Sequence, residues 1–566
     1  MSEVKNLVQA IINHCKTDFF NAEQFSEKFG LDKPKSIELL DLGVMNEIFI
    51  MAFETSDKTR NMYGVKEIIT EENLDKFKEI VNNYFGEIKE GIILNLEETA
   101  LRDEVLENII LKQRGKAGEL IVKKIQKENH IFTTRDDNKS EMWIYDDGIY
   151  IPQGKTFVKE TCRKILGHTY TSQIVNDVIG KIEADTYIDQ AEFFKNTYVW
   201  ELPLKNGILN IKTKKLLPFS PRKIFFNKLP MDYDPSKKCP KITKHFEDVL
   251  KEKDDSKIMF ELIGYCLLKD SPLEKAFMFS GFGRNGKGKT LELIKIFLGV
   301  DNCSSLDLTQ LIDQSFDVSE LFGKMANLSG DLSYHDLKDV GMLKKLIGRD
   351  SISARRKFLN LLHFISYAKL LFACNELPKI YDMTDGFWTK WILLEFPYEF
   401  RTKEEINKLP IEERANKRII NTNIIKEITT SDELSGLLNK ALESLDVILK
   451  QNKFSDSKGT KEIRDLWIRR SDSFKAFCID KIQESEDCRI AKKDLRKEYQ
   501  KYCKKHKAKG IRVASDLAIK LTLEQDFGAY EIQDWDSRER YWCGVKIKEE
   551  VQEKLKIEKI SREKLE

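Results

Sequence analysis

With 566 residues, 41% hydrophobic and 33% charged, the chain is long enough for several domains with sizeable cores and too apolar for a disordered or collagen-like polymer. Lysine plus arginine (95) nearly cancels aspartate plus glutamate (93), so attraction to nucleic acid must come from local basic patches, not overall charge. The ten cysteines form no C-x-x-C pair and lie near no paired histidines, which argues against a zinc finger and for reduced thiols. No apolar run is long enough to span a membrane, and Met1-Ser2-Glu3-Val4-Lys5 opens no signal-peptide core. A cytoplasmic protein without a membrane partner is expected.

In chain order, residues 1–120 read as helical, for instance Leu74 to Phe85 and Asp103 to Leu111, where apolar residues recur at three- and four-residue spacing. Residues 121–240 change to mixed helix and strand. Met142-Trp143-Ile144-Tyr145 and Gly148-Ile149-Tyr150-Ile151 predict one hairpin, and Gly207 to Ile211 with Lys215 to Pro218 another. Primer synthesis would need clustered carboxylates to hold two metals. The tight pairs available, Asp146-Asp147 and Asp232-Tyr233-Asp234, sit beside Gly148 and Pro235 and read as turn residues.

The chemistry begins at Ala276-Phe277-Met278-Phe279, an apolar strand followed by Gly281-Phe282-Gly283-Arg284-Asn285-Gly286-Lys287-Gly288-Lys289-Thr290 and a helical run from Leu291. Strand, glycine loop and helix together let backbone N–H groups and a helix N-terminus converge on a triphosphate. Two registers fit G-x-x-x-x-G-K. Gly283 to Thr290 makes Lys289 the phosphate lysine and Thr290 the metal hydroxyl, whereas Gly281 to Lys287 makes Lys287 the phosphate lysine and puts Gly288 in the hydroxyl's place.

Two more buried strands end on polar groups: Met325 to Ser329, then Gly330 and Asp331, and Lys369 to Cys374, then Asn375. Beside a phosphate loop, Asp331 would hold Mg²⁺ and Asn375 would sense the γ-phosphate and hold the attacking water. Between them lie Lys344, Lys345, Arg349, Arg355, Arg356 and Lys357 against one acid, Asp350, with a short strand at Ile352-Ser353-Ala354. Such a patch can neutralise the phosphates of a single strand; the plain alternative is a solvated loop. After a charged helical stretch, Asp472 to Phe477 opens a last module. There Lys492, Lys493, Arg496 and Lys497 belong to a basic segment, Arg489 to Arg512, that is followed by Tyr541 to Val545, similar to a wing strand. Duplex or fork DNA is the partner such a module would take, against a solvated basic helix.

Asn206-Gly207-Ile208-Leu209, Tyr233-Asp234-Pro235, Gly283 to Lys287, Lys324 to Ser333, Gly348-Arg349-Asp350 and Phe372 to Pro378 occur in an order that resembles the superfamily 3 helicases of the phage and plasmid primase-helicase type, relatives of the poxvirus nucleoside triphosphatase-primase. The resemblance implies an AAA+-like α/β motor with a P-loop, ATP and Mg²⁺ as cofactors, and a hexameric ring that hydrolyses ATP at subunit interfaces. A hairpin built from the basic stretch would carry single-stranded DNA, and replication proteins are possible partners. It also favours Lys287 as the phosphate lysine. Two departures stand out. The metal strand lacks a second acid, and Lys390 follows Gly386-Phe387-Trp388-Thr389 where the family carries an arginine that reaches the neighbouring site; Lys390, Arg355 or Arg356 would fill that role.

The expected organisation is a helical region 1–120, an α+β module 121–240, the motor 241–400, a helical lid or linker 401–455, a winged-helix-like domain 456–548 and a helical tail 549–566. The expected activity is ATP-dependent DNA unwinding in the replication of a virus, plasmid or integrated element. The alternatives are a primase-helicase with N-terminal primer synthesis and a nucleotide-regulated DNA-binding switch with weak hydrolysis.

Overall fold

The computed structural model describes residues 20–21, 40, 49–53 and 62–65 and, from 89 to 548, all but 137–138, 196, 253, 314–316, 331–336, 338, 355–361, 383, 457, 506–512 and 535–537. The helix expected at Leu74 to Phe85, the tail 549–566, and Asp331, Arg355, Arg356 and Lys357 lie outside the described residues. The chain divides into two compact units, one of residues 1–136, 140–144 and 152–189, the other of 137–139, 145–151 and 190–566.

In the first unit the helices are α1 (Lys89–Ile110), α2 (Arg114–Glu128), α3 (Gly154–Leu166) and α4 (Ser172–Thr186). Helix α2 buries Ala117, Ile121, Val122 and Ile125, and α4 buries Ile174, Val175, Val178, Ile179 and Ile182, each a single stripe at helical spacing. Thr171 starts α4 by accepting a hydrogen bond from Ile174 N–H. Strand β1 (Ile131–Thr134) pairs antiparallel with β2 (Met142–Asp146), with Ile131 opposite Ile144.

The second unit opens with an antiparallel meander, β3 (Glu201–Leu204), β4 (Gly207–Asn210) and β5 (Lys215–Leu217). The suspected carboxylate pairs are occupied in turns. Asp147 has φ +42° and pairs with Lys228, and Asp234 accepts hydrogen bonds from Ser236 N–H and Oγ. Helices α5 (Pro240–Val249) and α6 (Asp255–Leu267) follow. Next come β6 (Ala276–Ser280), α7 (Lys287–Leu298), β7 (Cys303–Ser304), β8 (Ala326–Ser329), α8 (Gly341–Ile347), the hairpin β9 (Ser351–Ala354) and β10 (Leu362–Ile365), β11 (Lys369–Cys374) and β12 (Trp391–Glu395).

Strands β6, β7, β8, β11 and β12 form one parallel sheet in the order β7-β8-β11-β6-β12. Their side chains alternate between two cores. Phe277, Phe279, Leu371, Ala373, Ile392 and Leu394 enter one, and Ala276, Met278, Leu370, Phe372, Trp391 and Leu393 the other. A sheet covered on both faces needs continuous apolar strands, which is why these runs read as apolar throughout. The segment expected as a lid or linker contains α9 (Ser431–Gln451), whose Leu437, Leu438, Ala441 and Leu445 belong to the first of these cores. Glu433 of α9 accepts hydrogen bonds from Lys241 and Ile242 N–H at the start of α5, where a carboxylate is favoured by the helix dipole.

The chain then runs through α10 (Thr460–Ser471), α11 (Ser473–Lys481), β13 (Ile482–Ala491), α12 (Lys492–Lys505), α13 (Asp516–Phe527), β14 (Tyr530–Gln533) and β15 (Arg540–Ile547). The last three strands form an antiparallel sheet in the order β13-β15-β14, closed by a core that includes Phe474, Phe477, Leu495, Tyr499, Leu523, Trp542 and Val545.

Candidate functional site

The loop between β6 and α7 stands at the carboxyl ends of parallel strands, where an open α/β sheet leaves room for a ligand. Its shape requires two of its glycines. A Cβ at Gly281 would meet Phe396 O at 2.3 Å, and Gly286 has φ +89° with Val249 Cγ1 2.8 Å from where a Cβ would stand. Gly283 and Gly288 have open space around them. Arg284 adopts φ +59° and pairs with Glu405 at 3.1 Å.

The two candidate lysines separate sharply. Lys287 is buried, and its Nζ donates to Gly281 O (2.6 Å), Asn285 Oδ1 (3.1 Å) and Asn375 Oδ1 (3.1 Å). Asn285 is itself held by donating to Phe396 O at 3.1 Å. The loop lysine and the amide after β11 therefore meet across neighbouring strands. Lys289 is half exposed and pairs with Glu292 at 2.8 Å. Thr290 is buried, its hydroxyl donating to Gly286 O and meeting His245 Nε2, both at 3.1 Å. Burial pushes the His245 pKa down to about 4, so the ring is neutral at neutral pH.

Sequence reasoning missed four groups beside this loop, Ser280, Arg470, Glu395 and Lys251. Ser280 accepts a hydrogen bond from Arg470 at 2.9 Å, and Arg470 also pairs with the buried Glu395 at the end of β12, which Lys251 reaches at 2.9 Å. Burial works to raise the Glu395 pKa, but the Arg470 and Lys251 charges outweigh it and hold the carboxyl below its ordinary value. The signal for Glu395 was an acid at the end of an apolar run, as for Asp331; Arg470 had no sequence signal, since it comes from a distant helix.

A cavity of about 930 Å³ adjoins the loop and is lined by Arg284, Gly286 and Lys289. Val249, Phe400, Ile420 and Ile424 give it apolar walls, and Thr402, Asn421 and Thr422 supply neutral polar groups.

Of the remaining expected residues, Lys390 stands at the amino end of β12, paired with Glu274 at 2.6 Å, away from the loop at the strands' other end. Lys344 pairs with Asp382, Arg349 with Asp270 at 2.9 Å, and Lys345 is exposed. In the last module Lys492 pairs with Glu531 and Arg496 with Asp516 at 2.7 Å, while Lys493 and Lys497 are exposed. Among the described residues no cluster of His, Cys, Asp or Glu could hold a metal, and no helix is long and apolar enough to cross a membrane.

Two family models match. One, described as D5 N terminal like, covers residues 60–253; the other, a family of unknown function (DUF5906), covers 279–386 and so contains the loop and Asn375. A "Putative helicase" of Acanthamoeba polyphaga mimivirus is 28% identical over 176 residues, 29% of this chain and 18% of that protein. A "Putative helicase" of Invertebrate iridescent virus 3 is 25% identical over 199 residues, 33% of this chain and 21% of that protein. These matches support a primase-helicase-like protein of the phage and viral superfamily 3 type. The chain spans about a fifth of the length of the curated relatives it matches. Among solved structures, the apo C-terminal region of NrS-1 is 12% identical with TM-score 0.39, covering 75% of this chain and 99% of that one. A JCV helicase structure is 13% identical with TM-score 0.21, covering 40% and 59%.

Proposed function

We propose that the chain is an ATP-driven DNA helicase motor, in which nucleotide hydrolysis moves single-stranded DNA past the β9–β10 hairpin of a self-assembled ring. The observation that carries this is the buried Lys287, held inside the glycine loop and hydrogen-bonded to Asn375 at 3.1 Å. In this reading the β6–α7 loop is a P-loop, Lys287 is its phosphate lysine and Asn375 senses the γ-phosphate. Phosphoryl transfer to water asks a protein chiefly for positioning and charge, and Lys287 supplies the charge where the terminal phosphates would lie. The 930 Å³ cavity takes the nucleoside, its apolar walls covering the base and its hydroxyl and amide groups fixing orientation.

Mg²⁺ enters as the ion carried by the triphosphate, which commonly needs one or two protein carboxylates. Asp331 is the assigned carboxylate; the Thr290 hydroxyl is turned to Gly286 and His245. Arg355, Arg356 and Lys357, on the stretch that joins β9 to β10, would follow the phosphates of the strand. The helix and strand order from α11 to β15 supports reading the last module as a winged helix, which would contact the fork through Lys493 and Lys497.

The test is single-turnover ATP hydrolysis with and without single-stranded DNA. Stimulation by the strand is expected. Slow hydrolysis indifferent to DNA would favour the second reading, a nucleotide-regulated DNA-binding switch, to which the Lys390–Glu274 ion pair already lends support because it occupies the candidate interface charge within its own chain.

A further inference from the structure

A second cavity, of about 540 Å³, shares no lining residue with the one beside the glycine loop. Its walls are aromatic: Phe194, Tyr198, Phe226, Phe322, Phe364 and Tyr367 all line it and all remain partly exposed. The rings brace one another edge to face. Phe194 and Phe322 stand 4.9 Å apart at 88°, and Phe322 and Phe364 5.4 Å apart at 82°. Side chains this apolar are ordinarily withdrawn into a core; here they surround an opening large enough for a nucleotide.

The polar groups lining the cavity complement an anion. Lys269 is buried with its Nζ 4.5 Å from the centre of the Phe225 ring; burial pushes its pKa down to about 7, against a smaller opposing pull from Glu201. Lys195, Arg349 and His363 are exposed, and the single acid of the lining, Asp270, is paired with Arg349 at 2.9 Å. Asn227 is fixed in place, accepting from the Tyr367 hydroxyl at 2.9 Å. Phe364 belongs to β10, so the cavity opens at the foot of the hairpin.

We propose that this aromatic cleft holds a base of single-stranded DNA, stacked against Phe194 and Phe322, while the exposed Lys195 meets a flanking phosphate. The inference rests on the proposed passage of a strand along the hairpin and adds to it a second kind of contact. Phosphate contacts alone would let the strand slide; a stacked base gives each step of the hairpin something to hold.

The experiment measures binding of fluorescein-labelled oligothymidylate, and of an equally long abasic strand, by fluorescence anisotropy in the absence of nucleotide. Wild-type protein is expected to prefer the base-bearing strand by on the order of tenfold, the worth of one stacked base. Phe194→Ala and Phe322→Ala should lose that preference while binding the abasic strand as wild type does, and Phe194→Trp should keep it. Unchanged abasic-strand binding and unchanged ATP hydrolysis without DNA show that the variants fold. Variants that keep the preference, or a wild type that has none while binding both strands, overturn the cleft assignment and leave the motor reading standing. A wild type that binds no strand at all removes both. Displacement of the base-dependent component by submillimolar thymidine monophosphate would assign the cleft to a free nucleotide, and a change in assembly state on Phe322→Ala would assign it to a neighbouring copy; either result overturns the strand assignment.

Discussion

Lys287 and Lys289 lie two residues apart at the start of α7, so helix geometry turns them about 200° apart and only one can face the loop interior. Burial decides for Lys287 as the lysine that meets Asn375. Lys287→Ala is therefore expected to reduce ATP hydrolysis by at least about a hundredfold, the usual scale for losing a charge donor at a transition state. Lys289→Ala should keep hydrolysis within a few-fold, because an exposed pair such as Lys289–Glu292 contributes little. Equal losses in the two variants would remove the Lys287 assignment. His245 offers a pH signature. Its folded pKa, about 4, lies below the ordinary 6.5, so the unfolded chain binds the extra proton first and stability falls as pH drops from about 6.5 toward 4. At pH 5 the loss is about 2 kcal/mol. Urea midpoints at pH 7 and pH 5 should differ less in His245→Gln than in wild type.

At the scale of elements, α6 and α9 pack so closely that a Cβ at Gly264 would stand 2.2 Å from Ala441 O. Gly264→Val must push the helices apart and is expected to cost about 1–3 kcal/mol, read as a lowered melting temperature with the glycine loop's own residues untouched. Helix α10 is the other informative element. Trp467 Nε1 donates to Pro378 O at 2.8 Å, just past Asn375, while Arg470 reaches Ser280 and Arg469 pairs with Asp480 of α11 at 2.6 Å. One helix thus touches the strand before the glycine loop, the segment after Asn375 and the last module. Arg470→Ala leaves Glu395 buried with Lys251 as its remaining ion-pair partner among the described residues, and loss of thermal stability together with weaker nucleotide binding is the expected outcome; unchanged nucleotide affinity would confine Arg470 to a structural part.

For the whole molecule, the proposed ring makes a collective prediction. If hydrolysis needs a charge from the neighbouring copy, mixing wild-type protein with Lys287→Ala should depress activity below simple dilution, and activity per chain should rise with concentration. Strict proportionality to the wild-type fraction would argue for independent copies. Two of the four basic residues assigned to DNA in the last module, Lys492 and Arg496, set a limit on the proposed fork contact, since both already have acidic partners in Glu531 and Asp516. Helix α13 exposes Leu517 and Leu521 rather than a basic face.

The strands, the glycine loop and the amide after β11 were legible in the amino-acid order because each rests on a local rule. Apolar runs become buried parallel strands, Gly281 and Gly286 mark positions where a Cβ has no room, and a polar residue ending such a run falls at the carboxyl ends of the strands. Two matches to one loop pattern could not be separated that way, because both lysines satisfy the same spacing and differ only in the face of α7 they occupy. The Arg470–Ser280 contact and the aromatic cleft were equally out of reach: their members stand far apart in the chain, from Phe194 to Phe364 and from Ser280 to Arg470. Local order sets which residues bend, alternate or cap; only packing distant segments against one another decides which charge is buried and which rings face a common space.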